Sequence, residues 1–377
     1  MKRRQLLGSA AAACSLAAAP LRAQPGVTDH EIVLGQTGIL SGPLGAAIKE
    51  FNAGAQIAFS QANASGGVAG RTVRVVSLDD ELKPDLAVAN YRRLLADHKV
   101  LAFFGCVGSG TTAAAADVLR TSGAPSVGCY AVADSARDKV KGQAFFVRAS
   151  SGREAQKVMQ QLKIIGLTRV AGAGLDNAGG KEVVQLIQQA AAAEGMSFVG
   201  GSLVKPDGSN AEEVGRALAA ARPQAVLMYL SGSLPASFIQ GVRRTGSAAV
   251  FYGLSIVQGQ VLAKALGERV RGIAIAQVTP YPWDRSNAEV LAFNRLAEAA
   301  RTEVNYTTFE GYLNARVMLE ALARTGRNLT QGRLMATLRS LRMRVAGMDV
   351  DFSNPLSLAG SQFVELVLLR ENGRFVR

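Results

Sequence analysis

The run VLAFFGCVGSGTTAAAADVL, Val100 to Leu119, holds the residues whose types and spacing come nearest to known chemistry. From Gly105 to Thr112 it reads G-x-x-x-x-G-T-T, one residue type short of the phosphate loop G-x-x-x-x-G-K-[ST]. In that loop a lysine reaches the β/γ-phosphates. Thr111 stands in its place and brings no charge, which argues against a nucleotide triphosphate. The rest of the geometry survives. A strand that ends in glycines and runs into a helix N-terminus presents free backbone N–H groups and a positive dipole end. Ser109, Thr111 and Thr112 add hydroxyls. Such a loop suits a carboxylate or another small anion. The same residues also suit a plain helix cap, and the loop alone leaves both readings open.

Other chemistry is poorly supplied. GAGLDNAGG, Gly172 to Gly180, imitates a dinucleotide fingerprint but has Asn177 where G-x-G-x-x-G requires glycine. No G-x-S-x-G is present, since GLSIV ends in Val257. The two histidines, His30 and His98, have no companion that suggests a metal ligand or a general base. Asp79 and Asp80 are adjacent, and neighbours on a strand point to opposite faces, so they form no acid/base pair. A strand-end structural role fits them better. These observations speak against an enzyme and imply no cofactor and no metal.

The elements around the loop follow a simple order. Strand-like runs (EIVLGQTGI, TVRVVSLDD, VLAFFGCV, APSVGCY) alternate with runs of helical periodicity, and a second series follows from AFFVRAS through GIAIAQV. Pro84 fits a first helical turn, and Asn210 an N-cap. Alternation of this kind means parallel sheets covered by helices. The strands are too many for one sheet, and a 377-residue chain has room for two domains at about 150 residues each. The expected fold class is α/β, with two doubly wound parallel-sheet lobes and a cleft between them. Asn372-Gly373 in the tail signals a hairpin.

Composition places the chain outside the cytoplasm. Lys2, Arg3 and Arg4 precede an Ala-rich apolar run, and Ala23 fits the residue before a cut. This reads as an export signal over residues 1–23, with RRQLL a loose twin-arginine match. The apolar run is shorter than the ~20 residues a membrane span needs. The chain carries a formal net charge of +13, but its arginines are scattered and not interleaved with aromatics, so no nucleic-acid surface is expected. Past the leader two cysteines remain, Cys106 and Cys129. An oxidising compartment permits a bridge between them, and only geometry decides it.

With these pieces in order, the chain resembles the periplasmic solute-binding proteins of ABC importers, in the type I fold of the leucine/isoleucine/valine-binding proteins. The resemblance is carried by LGQTGILSGP, by NAGAQIAFSQANASGGVAGRTVRVVSLDDELKP, by VLAFFGCVGSGTT and by FFVRAS, across Glu31 to Pro280. It implies three crossings between lobes, with 27–147 and about 278–328 in the first lobe and 148–277 and about 329–377 in the second. It also implies a periplasmic monomer that binds a small solute in its cleft and docks on an inner-membrane permease. A ligand sensor of the same fold is the main alternative.

Carried over residue by residue, the resemblance gives Ser109 the ligand carboxylate and Tyr130 a carbonyl for the ligand. The family's threonine is Val132 here, and its ammonium-binding acid is Ser255. Aromatic positions of the pocket read Ala47 and Ala178-Gly179. The candidate ligand-binding set is Ser109, Thr111, Tyr130, Ala131, Val132, Ser41, Asp176, Tyr229 and Ser255, with Tyr252 a further candidate wall. A buried ammonium without a carboxylate partner is costly. The expected ligand therefore carries an acceptor group, such as a carboxylate, and no α-ammonium.

Overall fold

In a computed structural model, residues 25–42, 44–370 and 373–377 are described, and the predicted leader lies outside them. The alternation seen in the sequence becomes β1 (Glu31–Gly38), α1 (Gly45–Ala64), β2 (Thr72–Asp79), α2 (Pro84–Ala96), β3 (Ala102–Phe104), α3 (Ser109–Ala114), α4 (Ala116–Ser122), β4 (Ser126–Val127), α5 (Asp134–Lys139) and β5 (Ala144–Phe145). These strands form one parallel sheet in the order β2-β1-β3-β4-β5. Pro84 opens α2 as expected, where its missing N–H costs nothing. Strands β3 and β4 are shorter than their apolar runs, because Gly105 and Gly128 take φ of 66° and 70° and end the ladder.

The second series is α6 (Ser151–Ile164), β6 (Arg169–Leu175), α7 (Ala178–Ala193), β7 (Ser197–Val204), α8 (Ala211–Ala219), β8 (Ala225–Tyr229), α9 (Leu234–Arg243), β9 (Val250–Gly253), α10 (Gly259–Leu266) and β10 (Ala274–Gln277). The tail adds α11 (Ala288–Ala299), α12 (Tyr306–Thr325), α13 (Gln331–Ser340), β11 (Arg342–Val345), β12 (Met348–Asp351), β13 (Glu365–Leu369) and β14 (Phe375–Val376). The second sheet runs β14-β13-β10-β9-β8-β6-β7. It is parallel from β7 to β10, whereas β13 is antiparallel to both β10 and β14. The C-terminal hairpin thus adds an antiparallel margin to a sheet expected to be wholly parallel. Asn210 stands at the N-cap of α8, but its side chain turns back to Lys205 N–H and Leu203 O instead of capping.

The chain crosses between the two lobes three times: after β5, after β10 and after β12. From 329 onward the tail makes hydrogen bonds to segments of the first series. Gln331 and Arg339 hydrogen-bond to carbonyls of Val100 and Gly142, and Gly360 and Ser361 donate to Phe146 and Val147. Only β13 and β14 enter the second sheet.

Helix α12 returns to the first lobe and lies directly on α1. The backbones touch at two glycines. A Cβ on Gly54 would sit 1.7 Å from the Thr308 carbonyl oxygen, and one on Gly311 would sit 1.9 Å from that of Phe51. Phe51 and Phe59 of α1 then pack against Phe104 beneath. Alanine gains about 1 kcal/mol over glycine inside an exposed helix, yet overpacking a tight contact costs roughly 1–3 kcal/mol. Here the partner is backbone, which cannot swing aside, so the clash wins. Gly311→Ala is expected to lower unfolding stability by about 2 kcal/mol or more, read from the urea midpoint. An unchanged midpoint contradicts the contact.

Candidate functional site

Loops at the C-terminal ends of the strands face each other across the lobes, where open α/β sheets bind ligands. They enclose a cavity of about 310 Å³. The first lobe contributes Ile39, Leu44, Ala47, Ile48, Leu82, Pro84, Val107 to Thr111, Tyr130 and Ala131. The second contributes Leu175, Asn177 to Gly179, Tyr229, Ser231 and Ile256. None of these lining residues is charged. The lobes meet at Gly179, where a Cβ would lie 2.5 Å from Ser109 Oγ.

Ser109 is the first residue of α3, placed there by Gly108 at φ 92°. Its Oγ accepts the Ala133 N–H at 2.9 Å, which leaves its own proton to donate. The Thr111 hydroxyl is turned away from this task. It donates to the carbonyls of Val107 and Gly108 and closes its own loop. Tyr130 forms a wall, but its carbonyl already accepts the Gly108 N–H at 3.1 Å. Ala131 borders the cavity at φ 53°, in the left-handed region. Tyr229 lines the opposite wall, and burial pushes its phenol up to about 12.

Four expected positions stand apart from the cavity. Val132 turns into the core beside Cys106, Cys129 and Phe146, and its carbonyl accepts from Arg137 at 2.8 Å. Ser41 is exposed and donates to the Asp79 carboxylate. Asp176 is exposed and pairs with Lys181 at 3.0 Å, while the next residue, Asn177, caps α7 and borders the cavity. Ser255 lies behind the wall: its N–H and hydroxyl both donate to Glu154, at 2.7 and 2.9 Å, and it accepts from Arg148. Tyr252 is buried but does not border the cavity. Ser231 and Ile256 border it without having been anticipated. Ser231 sits just past the end of the apolar run AVLMYL, which was its one available signal.

The cluster behind the wall could not be read from spacing. Arg148 sits in the first crossing, buried, with Glu154 of α6 at 3.5 Å and Glu310 of α12 at 3.4 Å. Its guanidinium stacks 5.0 Å from the centroid of the Tyr130 ring. Burial raises both carboxyls, and Arg148 opposes the rise. Beside it Arg137, also buried, donates to the carbonyls of Val132, Arg148, Ala149 and Leu358. One signal existed: a lone arginine ends the apolar run AFFV.

Asp79 and Asp80 brace the rim, in keeping with a strand-end role. Asp79 accepts from the N–H groups of Leu40 and Glu81, both at 3.0 Å. Asp80 accepts from Thr37 Oγ1 and Leu82 N, both at 2.9 Å, which fixes the loop that carries Leu82. Burial lifts the Asp80 carboxyl to about 6.

Two outcomes follow. Arg148→Met leaves two buried carboxyls without their cation and is expected to cost about 3–5 kcal/mol at neutral pH. The deficit should shrink as pH falls and the carboxyls take up protons, which denaturant midpoints at several pH values will show. For Asp80 the folded chain holds the proton more tightly than the unfolded chain does. Its contribution is therefore full below about pH 4 and is lost as pH rises through about 6. Asp80→Asn should flatten that decline, and an unaltered profile would sink the assignment.

Comparison with known proteins bears on this arrangement. The family model described as periplasmic binding protein matches residues 31–361. The Leu/Ile/Val-binding protein homolog 7 of Brucella abortus (strain 2308) is 30% identical over 149 residues, which is 40% of this chain and 37% of that protein. The matched region thus spans just over a third of that relative's length. The crystal structure of a substrate-binding periplasmic protein from Ralstonia solanacearum superposes with a TM-score of 0.84 at 28% identity, covering 92% of this chain and 99% of that one. The solute-binding protein of an ABC transporter from R. palustris, in complex with benzoate, gives 0.79 at 18% identity over 92% and 95% of the two chains, which shows a shared fold. The two-lobed architecture, the cleft at the strand ends and the family match together make this chain a member of the periplasmic binding protein family.

Proposed function

We propose that the chain is the exported solute-binding protein of an ABC importer, and that its solute is a small carboxylic acid with an apolar body and no α-ammonium. The supporting observation is that, among the described residues, no charged one lines the cavity. Glu154, behind the wall, is already engaged by Ser255 and Arg148. An ammonium brought into this cleft would lose its water and gain no counter-ion, a loss of several kcal/mol. A carboxylate fares better. It would accept the free Ser109 proton and the first-turn amides of α3, which lack intrahelical partners. Ala47 and Ala178 leave room for the body, which Tyr130, Tyr229, Leu82 and Ile48 would cover. Capture needs no covalent step. The lobes close over the solute by bending at the three crossings.

The lobe division that goes with this reading is 27–147 with about 278–361 for the first lobe, and 148–277 with 365–377 for the second. The basic and Ala-rich leader supports export to the periplasm, and a membrane permease is the partner this role requires. Among the described residues no helix is long and apolar enough to cross a membrane.

Calorimetry with the purified chain tests the reading. Aryl or branched aliphatic monocarboxylates are expected to bind at micromolar concentration, and leucine and valine are not. Ser109→Ala should weaken the acid about tenfold or more, as a hydrogen bond to a charged group is worth about 1.5–3 kcal/mol. Gly179→Val should abolish binding by wedging the lobes apart. Tight binding of leucine or valine with no binding of the acids overturns the proposal.

A further inference from the structure

We propose that Cys106 and Cys129 form a disulfide that joins β3 to β4 directly beneath the cleft. The pairing of the strands carries the inference. Phe103 lies opposite Ser126 and Phe104 opposite Val127. The same offset reappears past the glycines, where Val107 bridges Tyr130. Cys106 therefore stands opposite Cys129, and its carbonyl accepts the Tyr130 N–H at 2.8 Å. Neighbouring strands lie about 4.8 Å apart, inside the window of about 4.4–6.8 Å that a disulfide allows between Cα atoms.

Direction agrees with distance. Facing residues of a parallel pair send their side chains to the same side of the sheet. Both cysteines enter one core cluster with Tyr91, Phe103 and Val132. The thiols lie within hydrogen-bonding reach of each other, and Ser126 Oγ is 3.2 Å from the Cys129 sulfur. Each follows a glycine of positive φ, so the two segments bend alike and stay in step. A buried cysteine is often only a small apolar side chain. Here the two cysteines of the described residues, both thiols in this structure, occupy one facing pair. Two independent space-fillers have no reason to meet in that way.

The step is thiol–disulfide exchange. One thiolate attacks a donor disulfide, such as glutathione disulfide or a protein disulfide of an oxidising compartment. The second thiolate then displaces the donor. The Cys106–Cys129 S–S bond forms, the donor S–S bond breaks, and the two protons and two electrons end on two donor thiols. Both sulfurs are shut off from solvent in the folded chain, so exchange precedes the closing of the sheet.

The test uses the full chain, unfolded with reductant and refolded in glutathione disulfide. After acid trapping and alkylation, trypsin should release residues 100–120 and 121–137 as one cross-linked species that separates on reduction. Oxidised chain should melt roughly 5 °C above reduced chain, as closure of a loop of this length predicts. Cys129→Ala should melt like the reduced form and ignore reductant. Recovery of the two peptides separately, each alkylated without reductant, overturns the proposal, as does a melting temperature that reductant leaves unchanged.

Discussion

Arg148 is the constraint around which the two lobes are arranged. It is a cation sealed inside the protein at the first crossing, and it faces carboxyls from both sides of the hinge. Burying such a cluster is expensive, and an apolar replacement of the same shape is often no less stable. Its worth here lies in position. Glu310 belongs to the first lobe's long helix, while Glu154 and Ser255 belong to the second lobe. The guanidinium fixes both relative to Tyr130, whose ring it stacks beneath. Arg137 extends the same logic with carbonyls. It ties the first crossing, at Arg148 and Ala149, to the third, at Leu358. Both walls of the cleft thus hang from a common polar hub.

That hub also decides what the cleft lacks. Ser255 occupies the position where relatives that bind amino acids were expected to carry an acid. In this chain its polar groups are spent on Glu154 and Arg148, out of reach of a ligand. Thr111 is spent in the same way on its own loop, and Val132 on the core. Polar groups that are satisfied inside the protein cannot also satisfy a solute. What remains in the lining of the cavity is the Ser109 hydroxyl, Asn177, the Ser231 side chain, Tyr130 and Tyr229, and a large apolar remainder. The character of the cleft follows from this subtraction more than from any single added residue.

The fold was legible because its signals are local and repeated. Period-two and period-3.6 runs located strands β1 to β10 and most of the long helices, though not α9, α10 or α11, and proline at 84 and glycine at 373 marked turns. Other features escaped, for physical reasons. Strands β3 and β4 stop early because Gly105 and Gly128 leave the extended region, which a hydrophobic run does not reveal. The hydrogen bonds from 329–361 to the Val100, Gly142 and Phe146 carbonyls join residues distant in sequence. The ion cluster joins residues 148, 154, 255 and 310, and no spacing rule links such positions. The lining of the cavity was legible where a loop follows a strand, as at Ser109, Tyr130 and Tyr229. It was not legible at Ser41, Asp176 and Ser255, where correct placement on a loop left the direction of the side chain open.

The same fold accommodates solutes of different charge, so the choice must rest on the few groups that face inward. A hydroxyl and first-turn amides suit a carboxylate because they are fixed donors that need little reorganisation when it arrives. They cannot do the reverse for an ammonium, which needs acceptors. Two acceptors beside the cavity are already engaged: the Tyr130 carbonyl holds the Gly108 N–H, and Glu154, behind the wall, holds Ser255. On the proposed reading, discrimination against amino acids would require no steric gate: it would arise from the unpaired charge that an α-ammonium would have to bury, the costlier error of the two.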